Sequence, residues 1–402
     1  MEVKKNVTRR NFISAMGLLG LAGACPLPTL ASTEELRSEG KTILKAGPYL
    51  QAAGHDQITV RWLTNTTCYS WVEYGESSDN LDKKTHKVNA GLIEAYNTNN
   101  IIKIKKLLPG KSYHYRICSR VILDFIPNKI VYGDTYTSPV YSFTTPAVKA
   151  DKVEFLVFND IHDRPESFGD LMRYHGKATG DFVFLNGDMF NYQTDENQLV
   201  DHLLKPLTHL FASTTPFILS RGNHETRGKF ARQLNNYFDG GRNSYYYSFQ
   251  QGPAYIIVLD SGEDKKDDVI VYGGIVDFDA YRMEQKEWLE EEFKKKEFRK
   301  AKYKIVFSHI PLYYSGNGYG TLHCREHWGP ILNKAKIDLL ISGHTHKYGI
   351  HPVVEGQHNY PIVIGGGPSN GKRTVMNVKA DQNTLKLEMF DDGGKMVGSL
   401  NL

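Results

Sequence analysis

Cysteine is scarce in this chain: four occur in 402 residues. Three of them, Cys68, Cys118 and Cys324, remain once an N-terminal signal is set aside. An odd number excludes a fully paired disulfide framework, and their spacing matches no cysteine-based metal site. Two readings stay open: Cys68 and Cys118 meet across neighbouring strands, or all three are unlinked thiols. Long apolar runs are also lacking. The single one lies near the N-terminus and is too short to span a bilayer. There is no Gly-X-Y period and no heptad array, which excludes collagen-like and coiled-coil architectures. Excess charge is small, a formal +4. Within residues 1–31, Lys4, Lys5, Arg9 and Arg10 stand against Glu2, a net +3, so the remainder carries about +1. That excludes a basic nucleic-acid footprint, and no nucleic-acid partner is expected. What is present, 40% hydrophobic and 23% charged residues, is the composition of a folded protein. At about 100–200 residues per domain, the length predicts two or three domains.

Residues 1–31 read as an export signal. Thr8-Arg9-Arg10-Asn11-Phe12-Ile13-Ser14 precedes an uncharged run from Ala15 to Ala24 rich in Leu, Gly and Ala. Two adjacent arginines followed by Phe12 and Ile13 resemble a bacterial twin-arginine signal. Such export carries folded proteins, which suits one that acquires metal first. Two ends compete. Ala22-Gly23-Ala24-Cys25 reads as a lipobox that would put a lipid anchor on Cys25, and Thr29-Leu30-Ala31 reads as an ordinary cleavage site. Either predicts an extracytoplasmic protein, periplasmic or secreted, or held at the membrane by lipid. Glu34–Glu39 reads as a solvated linker.

From Lys45 to Pro146 the pattern is short alternating strands punctuated by turns. Ile58–Trp62, Ser70–Tyr74, Ile101–Ile104, Ser112–Ile117 and Val140–Thr145 predict a two-sheet β-sandwich over 45–146. Leu107, Pro109, Gly110 and Tyr113 form Leu-x-Pro-Gly-x-x-Tyr ahead of a strand, which resembles the corner of a fibronectin type III domain. Gly47-Pro48-Tyr49-Leu50-Gln51 and Phe143-Thr144-Thr145-Pro146 are similar to the N-terminal domain of purple acid phosphatases. Nothing catalytic is evident here, and the domain reads as a spacer or a wall beside the active site.

The pattern then changes to continuous apolar runs: Val153–Phe158, Phe182–Leu185, Pro216–Leu219, Tyr255–Leu259, Tyr303–Phe307 and Ile337–Ile341. Helical patterns lie between them. Leu199, Val200, Leu203, Leu204 and Leu207 share one face, and Trp288, Leu289 and Phe293 another, the latter supported by i,i+4 pairs from Glu290–Lys294 onward. Buried strands alternating with helices predict an α/β domain over 150–402, with central β-sheets flanked by helices.

Five of these runs end in polar ligand residues. They are Asn159-Asp160-Ile161-His162-Asp163, Asn186-Gly187-Asp188, Arg221-Gly222-Asn223-His224-Glu225, Ser308-His309-Ile310-Pro311 and Ser342-Gly343-His344-Thr345-His346. Ligands of open α/β sheets collect at carboxyl ends of strands. The chemistry explains the set: a carboxylate can bridge two cations, and Asp, Asn and His on either side complete both spheres. Two metals about 3.5–4 Å apart can hold a hydroxide between them and clamp a phosphoryl group. Glycines beside Asp188, Asn223 and His344 let the chain turn sharply past each strand. Oxygen and nitrogen ligation without sulfur suits two divalent or trivalent transition-metal ions, Fe, Zn or Mn, better than Cu(I) or Ca.

The ordered set Asp-x-His, Gly-Asp, Gly-Asn-His-Glu, His, Gly-His-x-His resembles the calcineurin-like metallophosphoesterases. The resemblance implies one metal on Asp160, His162, Asp188 and His346. It implies a second on Asp188, Asn223, His309 and His344, with Asp188 bridging. It places His224 on the phosphate or on the leaving group. The purple acid phosphatase branch has Asp-x-Gly where Asp160-x-His162 stands, and a tyrosine ligand where Asn191 stands, with Tyr192 one step later. The resemblance therefore implies a relative of that branch with His162 replacing the tyrosine, and no purple tyrosinate site.

Outside the set, Arg221 reads as a salt-bridge partner ahead of a phosphate contact, and Asp163 and Asp260 as supporting residues. The Gly/Tyr-rich stretch Tyr313–Leu322, with His323 and Cys324 beside it, reads either as a rim of the pocket or as plain surface. The expected function is an exported hydrolase of small phosphate monoesters, using a metal-bound hydroxide with Asp188 and His224 as catalytic residues. The alternatives are a phosphodiesterase on nucleotides or phospholipid head groups and, in another class, a non-catalytic surface-binding protein.

Overall fold

The computed structural model describes residues 42–174, 179–239 and 245–402. The signal (Arg9, Arg10, Phe12, Ile13, Cys25, Ala31) and the linker Glu34–Glu39 lie outside the described residues. Among the described residues, no helix is long and apolar enough to cross a membrane.

The first domain is all β: β1 (Leu44–Gly54), β2 (Gln57–Gly75), β3 (Lys83–Thr85), β4 (Val88–Asn89), β5 (Leu92–Ile93), β6 (Ala95–Lys105), β7 (Ser112–Ile126), β8 (Lys129–Thr137) and β9 (Tyr141–Thr144). Its ladder is continuous through β2, which pairs with β1 and β6 along its first half and with β3 and β7 along its second. Alternation decides what each side chain of β2 meets. Ile58, Val60 and Trp62 point into the domain's own core. Thr59 and Arg61 point the other way, to Asp239 Oδ2 (2.8 Å) and the Asn236 carbonyl (2.9 Å) of the second domain. Tyr49 Oη donates to the Tyr237 carbonyl and Tyr115 Oη to the Ser213 carbonyl. The three cysteines are free thiols. Cys68 faces Val121 while Cys118 faces Trp71, so the two lie three residues out of register.

The second domain follows with β10 (Val153–Phe158), β11 (Phe182–Asn186), β12 (Phe217–Ser220), β13 (Tyr247–Gln251), β14 (Ala254–Leu259), β15 (Tyr303–Ser308), β16 (Leu339–Ser342), β17 (Gly349–His351), β18 (Ile362–Ile364), β19 (Thr374–Ala380), β20 (Leu385–Asp391) and β21 (Met396–Asn401). They form two six-stranded sheets, in the orders β12-β11-β10-β19-β20-β21 and β13-β14-β15-β16-β18-β17. The antiparallel strands β19–β21, which the strand–helix alternation did not announce, widen the first sheet.

The sheets pack face to face, which is why their strands are apolar on both sides. Phe155, Val157 and Phe184 of one sheet meet Ile256, Ile305, Phe307 and Ile341 of the other. The residues between them, Leu156, Phe158 and Leu185, turn outward to Phe168, Leu199, Leu203, Leu204 and Leu207 of one helical layer. Val306 and Leu340 turn to Leu289, Trp328 and Leu332 of the other. The helix Phe278–Glu292 ends too soon for the expected i,i+4 pairs, and Lys294 and Lys295 close instead on Glu291 and Glu292 at i,i+3.

Candidate metal centre

The five ligand-bearing segments do not share one sheet edge. β10, β11 and β12 deliver theirs from the first sheet, β15 and β16 from the second, and the carboxyl ends of both sheets converge. To aim a side chain back across that edge the chain reverses sharply. Asp160 (φ 52°), His162 (51°), Asp188 (56°), His344 (71°) and His346 (57°) all take the left-handed conformation. Asp and His tolerate it better than most residues, yet each such position costs about 1–3 kcal/mol that the surroundings must offset. Of the glycines read as turn residues, Gly187 does have φ 81°. Gly222 is needed for room instead, since a Cβ there would stand 2.3 Å from Asp188 Oδ1.

All eight residues of the expected site come together. Asp160, His162 and His346 form one cluster, and Asp188, His309 and His344 a second. His162, Asp188 and His224 form a third across the seam. In each, the donor atoms lie within 4.8 Å of one another. His162 Nε2 and His346 Nε2 face each other at 3.0 Å. His346 Nε2 is 3.4 Å from Asp160 Oδ1. Asn223 Oδ1 lies 3.0 Å from His344 Nδ1, which adds it to the second cluster.

Asp188 uses its two oxygens differently. Oδ1 accepts from the His224 N–H at 2.9 Å. Oδ2 faces both clusters: His309 Nε2 at 2.9 Å, His162 Nε2 at 3.7 Å and His224 Nε2 at 3.9 Å. One oxygen, rather than one on each side, is the shared point.

The donors fit a metal pair. His309 Nδ1 donates to the Asn186 carbonyl (2.7 Å), which leaves Nε2, buried and facing Asp188 Oδ2, as the nitrogen a metal would take. His162 Nδ1 donates to Asn191 Oδ1 (3.0 Å) while Asn191 Nδ2 donates back to the His162 carbonyl (3.1 Å), which leaves His162 Nε2 for a metal too. Fixing one ring nitrogen so that the other can coordinate is how metal-binding histidines are oriented.

Electrostatics agree. Asp160 and Asp188 are fully buried side by side. Burial pushes both carboxyls up, but the charge of His309 outweighs it, helped at Asp160 by the neighbouring His162, His346 and Asn159, and both end well below the usual range. Burial pulls His309 down, yet the two carboxylates drive it up to about 10. His344 is pulled down to about 4 by burial and by His309. The pair of carboxylates calls for positive charge beside it, which metal cations supply.

Several residues to which the motifs assigned no role hold the site. Glu225 is buried and accepts the backbone N–H of Asp188, Met189, Phe190 and Gly222, so it clamps the loop that carries Asp188. Burial and the Asp188 charge push it up to about 7, against those donors. Asn159 Nδ2 donates to Asp160 Oδ2 (2.6 Å). Glu225 was visible as the fourth residue of Gly-Asn-His-Glu, but nothing in the sequence told which backbone it would meet. Arg221 is taken by Asp260 (2.6 Å) and lies over Tyr245. Asp163 binds Asn191 N, Gln198 and His202. His323 and Cys324 fall in the helix Tyr319–Ala335, with Cys324 in the core.

Residues 153–348 match the calcineurin-like phosphoesterase family, and residues 47–145 the purple acid phosphatase N-terminal domain. Purple acid phosphatase 21 of Arabidopsis thaliana is 26% identical over 360 residues, covering 84% of this chain and 74% of that protein. Human acid phosphatase type 7 is 24% identical over 334 residues, 77% of this chain and 70% of its own. Among solved structures, purple acid phosphatase PPD1 from yellow lupin (Lupinus luteus) seeds superposes with a TM-score of 0.67 at 18% identity, covering 88% of this chain and 73% of that one. A structure of PhoD gives 0.63 at 12%, covering 90% and 94%.

Proposed function

The chain is a metallophosphoesterase, with a calcineurin-like phosphoesterase domain behind a purple acid phosphatase N-terminal domain, and from that premise we propose that it is an exported hydrolase of small phosphate monoesters. The observation that carries this reading is Asp188 Oδ2, set between two donor clusters from two sheets. Asp160, His162, Asp188 and His346 would hold one metal, and Asp188, Asn223, His309 and His344 the other. When bound, the two cations supply Lewis acidity, activating water near neutral pH and neutralising charge on the phosphoryl oxygens.

The chain's own residues do the rest. Glu225 fixes the Asp188 backbone, and Asn191 and the Asn186 carbonyl fix the imidazoles of His162 and His309. His224 stands at the seam, 4.7 Å ring to ring from His162, a place from which to contact the phosphate or the leaving group. The relatives are named acid phosphatases, which favours monoesters as substrates.

Export rests on the Arg9-Arg10 signal pattern, with processing at Ala31 or lipidation at Cys25. The split pairing of β2 supports a fibronectin type III-like first domain. A panel of phosphomonoesters and diesters, assayed after loading with Fe, Zn or Mn and elemental analysis, tests the proposal. Turnover of monoesters at about two metals per chain is expected. Preference for diesters would move the reading to a phosphodiesterase, and metal-loaded protein inert on both would move it to a binding protein.

A further inference from the structure

Arg227 follows Gly-Asn-His-Glu by two residues and belongs to none of the clusters. Its guanidinium is clamped by Glu263, which is buried: Nε to Oε1 at 2.7 Å and Nη2 to Oε2 at 2.9 Å. Glu263 also accepts from Thr226 Oγ1 at 3.0 Å. Asp264 Oδ1 lies 3.9 Å from Nη2. The fork therefore fixes the plane of the guanidinium and leaves Nη1 to point elsewhere.

Nη1 points at the metal centre. It lies 3.0 Å from His224 Nε2. The other ring nitrogen, Nδ1, is 2.8 Å from the Asn191 carbonyl. A carbonyl only accepts, so Nδ1 carries a proton, and Nη1, 3.0 Å from Nε2 and 3.3 Å from Nδ1, stands over the ring rather than along a lone pair. That same Nε2 is 3.9 Å from Asp188 Oδ2, the shared oxygen of the centre. Nη1 is thus held against the ring without a ring lone pair to fill, on a side chain still 26% exposed. A salt bridge kept only for stability has no reason to aim its free nitrogen at this histidine. A planar donor held rigid beside a phosphoryl site is how arginine recognises phosphate oxygens.

We propose that Arg227 is a substrate-binding residue, donating Nη1–H to a non-bridging oxygen of the phosphoryl group and so favouring dianionic monoesters over monoanionic diesters. This rests on the two-metal phosphohydrolase reading above. Glu263 is its positioning residue.

The test uses metal-loaded wild type, Arg227→Gln and Arg227→Lys, with metal content measured first and inorganic phosphate titrated calorimetrically. Loss of one charge-assisted hydrogen bond predicts about 10- to 100-fold weaker phosphate binding in Arg227→Gln with both metals retained. Arg227→Lys should fall between, because an ammonium keeps the charge but not the fork to Glu263. The kcat/KM for a monoester should drop with phosphate affinity, and that for a diester should drop less. Unchanged phosphate affinity in both variants overturns the contact, and equal losses on both ester classes overturn the selectivity. If Arg227→Gln fails to fold or loses metal, Arg227→Lys decides by its phosphate affinity. Should wild type prefer diesters, the monoesterase reading fails while the phosphate titration still reports on Arg227.

Discussion

The two halves of the metal centre are built to different standards of enclosure. His309 follows β15 directly, is wholly buried, and has its ring set by a backbone carbonyl. His346 lies four residues beyond β16, and its side chain is 45% exposed. Its neighbours His162 and Asp160 are themselves donors of the same cluster. The contrast rests on these two histidines, since Asp160 and His162 beside His346 are themselves buried and held by Asn159 and Asn191. The difference teaches that ligand identity alone does not set how a metal is held: the exposed half should exchange its metal with solvent first, and a chelator should strip the centre in two steps.

Removing what the halves share should have the largest effect. Asp188→Ala takes away the oxygen between them, so elemental analysis should find both metals depleted. Activity should fall by more than the about 10–100-fold typical of changing a group behind the ligands. One tightly held metal in an active Asp188→Ala enzyme would sink the bridging role.

His224 comes next, because it stands over the seam and belongs to neither half. His224→Ala should keep both metals. General acid assistance is typically about 10²–10⁴-fold and matters most for basic leaving groups. Alkyl phosphates should thus lose far more rate than nitrophenyl phosphate. Equal losses with metals retained would make His224 a phosphate contact, and metal loss would overturn the assignment of the second sphere.

The comparison is sharpened most directly by changing one histidine from each half. His309→Ala should lose one metal and also lower the thermal midpoint of the metal-free chain, since it opens a cavity beneath buried carboxylates, an effect of about 1–3 kcal/mol. His346→Ala should lose the other metal and leave that midpoint nearly unchanged, being half in solvent. Similar midpoints for the two variants would show that the halves are equally dependent on their donors.

The smallest effect is expected at Asn191, which sets the His162 ring. Asn191→Ala should weaken metal binding in the exposed half by about 10–100-fold and spare the buried half. Iron-loaded wild type should show no tyrosinate charge-transfer band. A purple protein whose colour disappears in Tyr192→Phe would make Tyr192, now 56% exposed, a ligand.

Much of this was legible from residue order. The runs Val153–Phe158, Phe182–Leu185 and Tyr303–Phe307 are strands because burial on both faces demands continuous apolar residues, and the ligands follow them because polar groups can only begin where that burial stops. The first domain read correctly as β, for period-2 alternation needs no tertiary knowledge. Less was legible where contacts join distant segments. Nothing local marks Glu225 as the clamp on Asp188, Asn191 as the partner of His162, or Glu263 as the fork on Arg227, since each bond spans loops from different strands. The strands β19–β21 were missed because their short polar–apolar alternation competes weakly with the helical and buried-strand signals before them.

The sequence by itself determined the chemistry: which donors exist, that they follow strands, and that oxygen and nitrogen without sulfur would bind two transition-metal ions. Only the tertiary structure decided the geometry: that two sheets rather than one supply the donors, that Asp188 turns a single oxygen to both clusters, and that His309 is sealed while His346 stands open. The physical reason is the range of the forces. Side-chain type and strand periodicity act within a few residues, whereas the approach of His309 to Asp188, 121 positions apart in the chain, exists only because two hydrophobic sheet faces pack together and bring their carboxyl ends to one place.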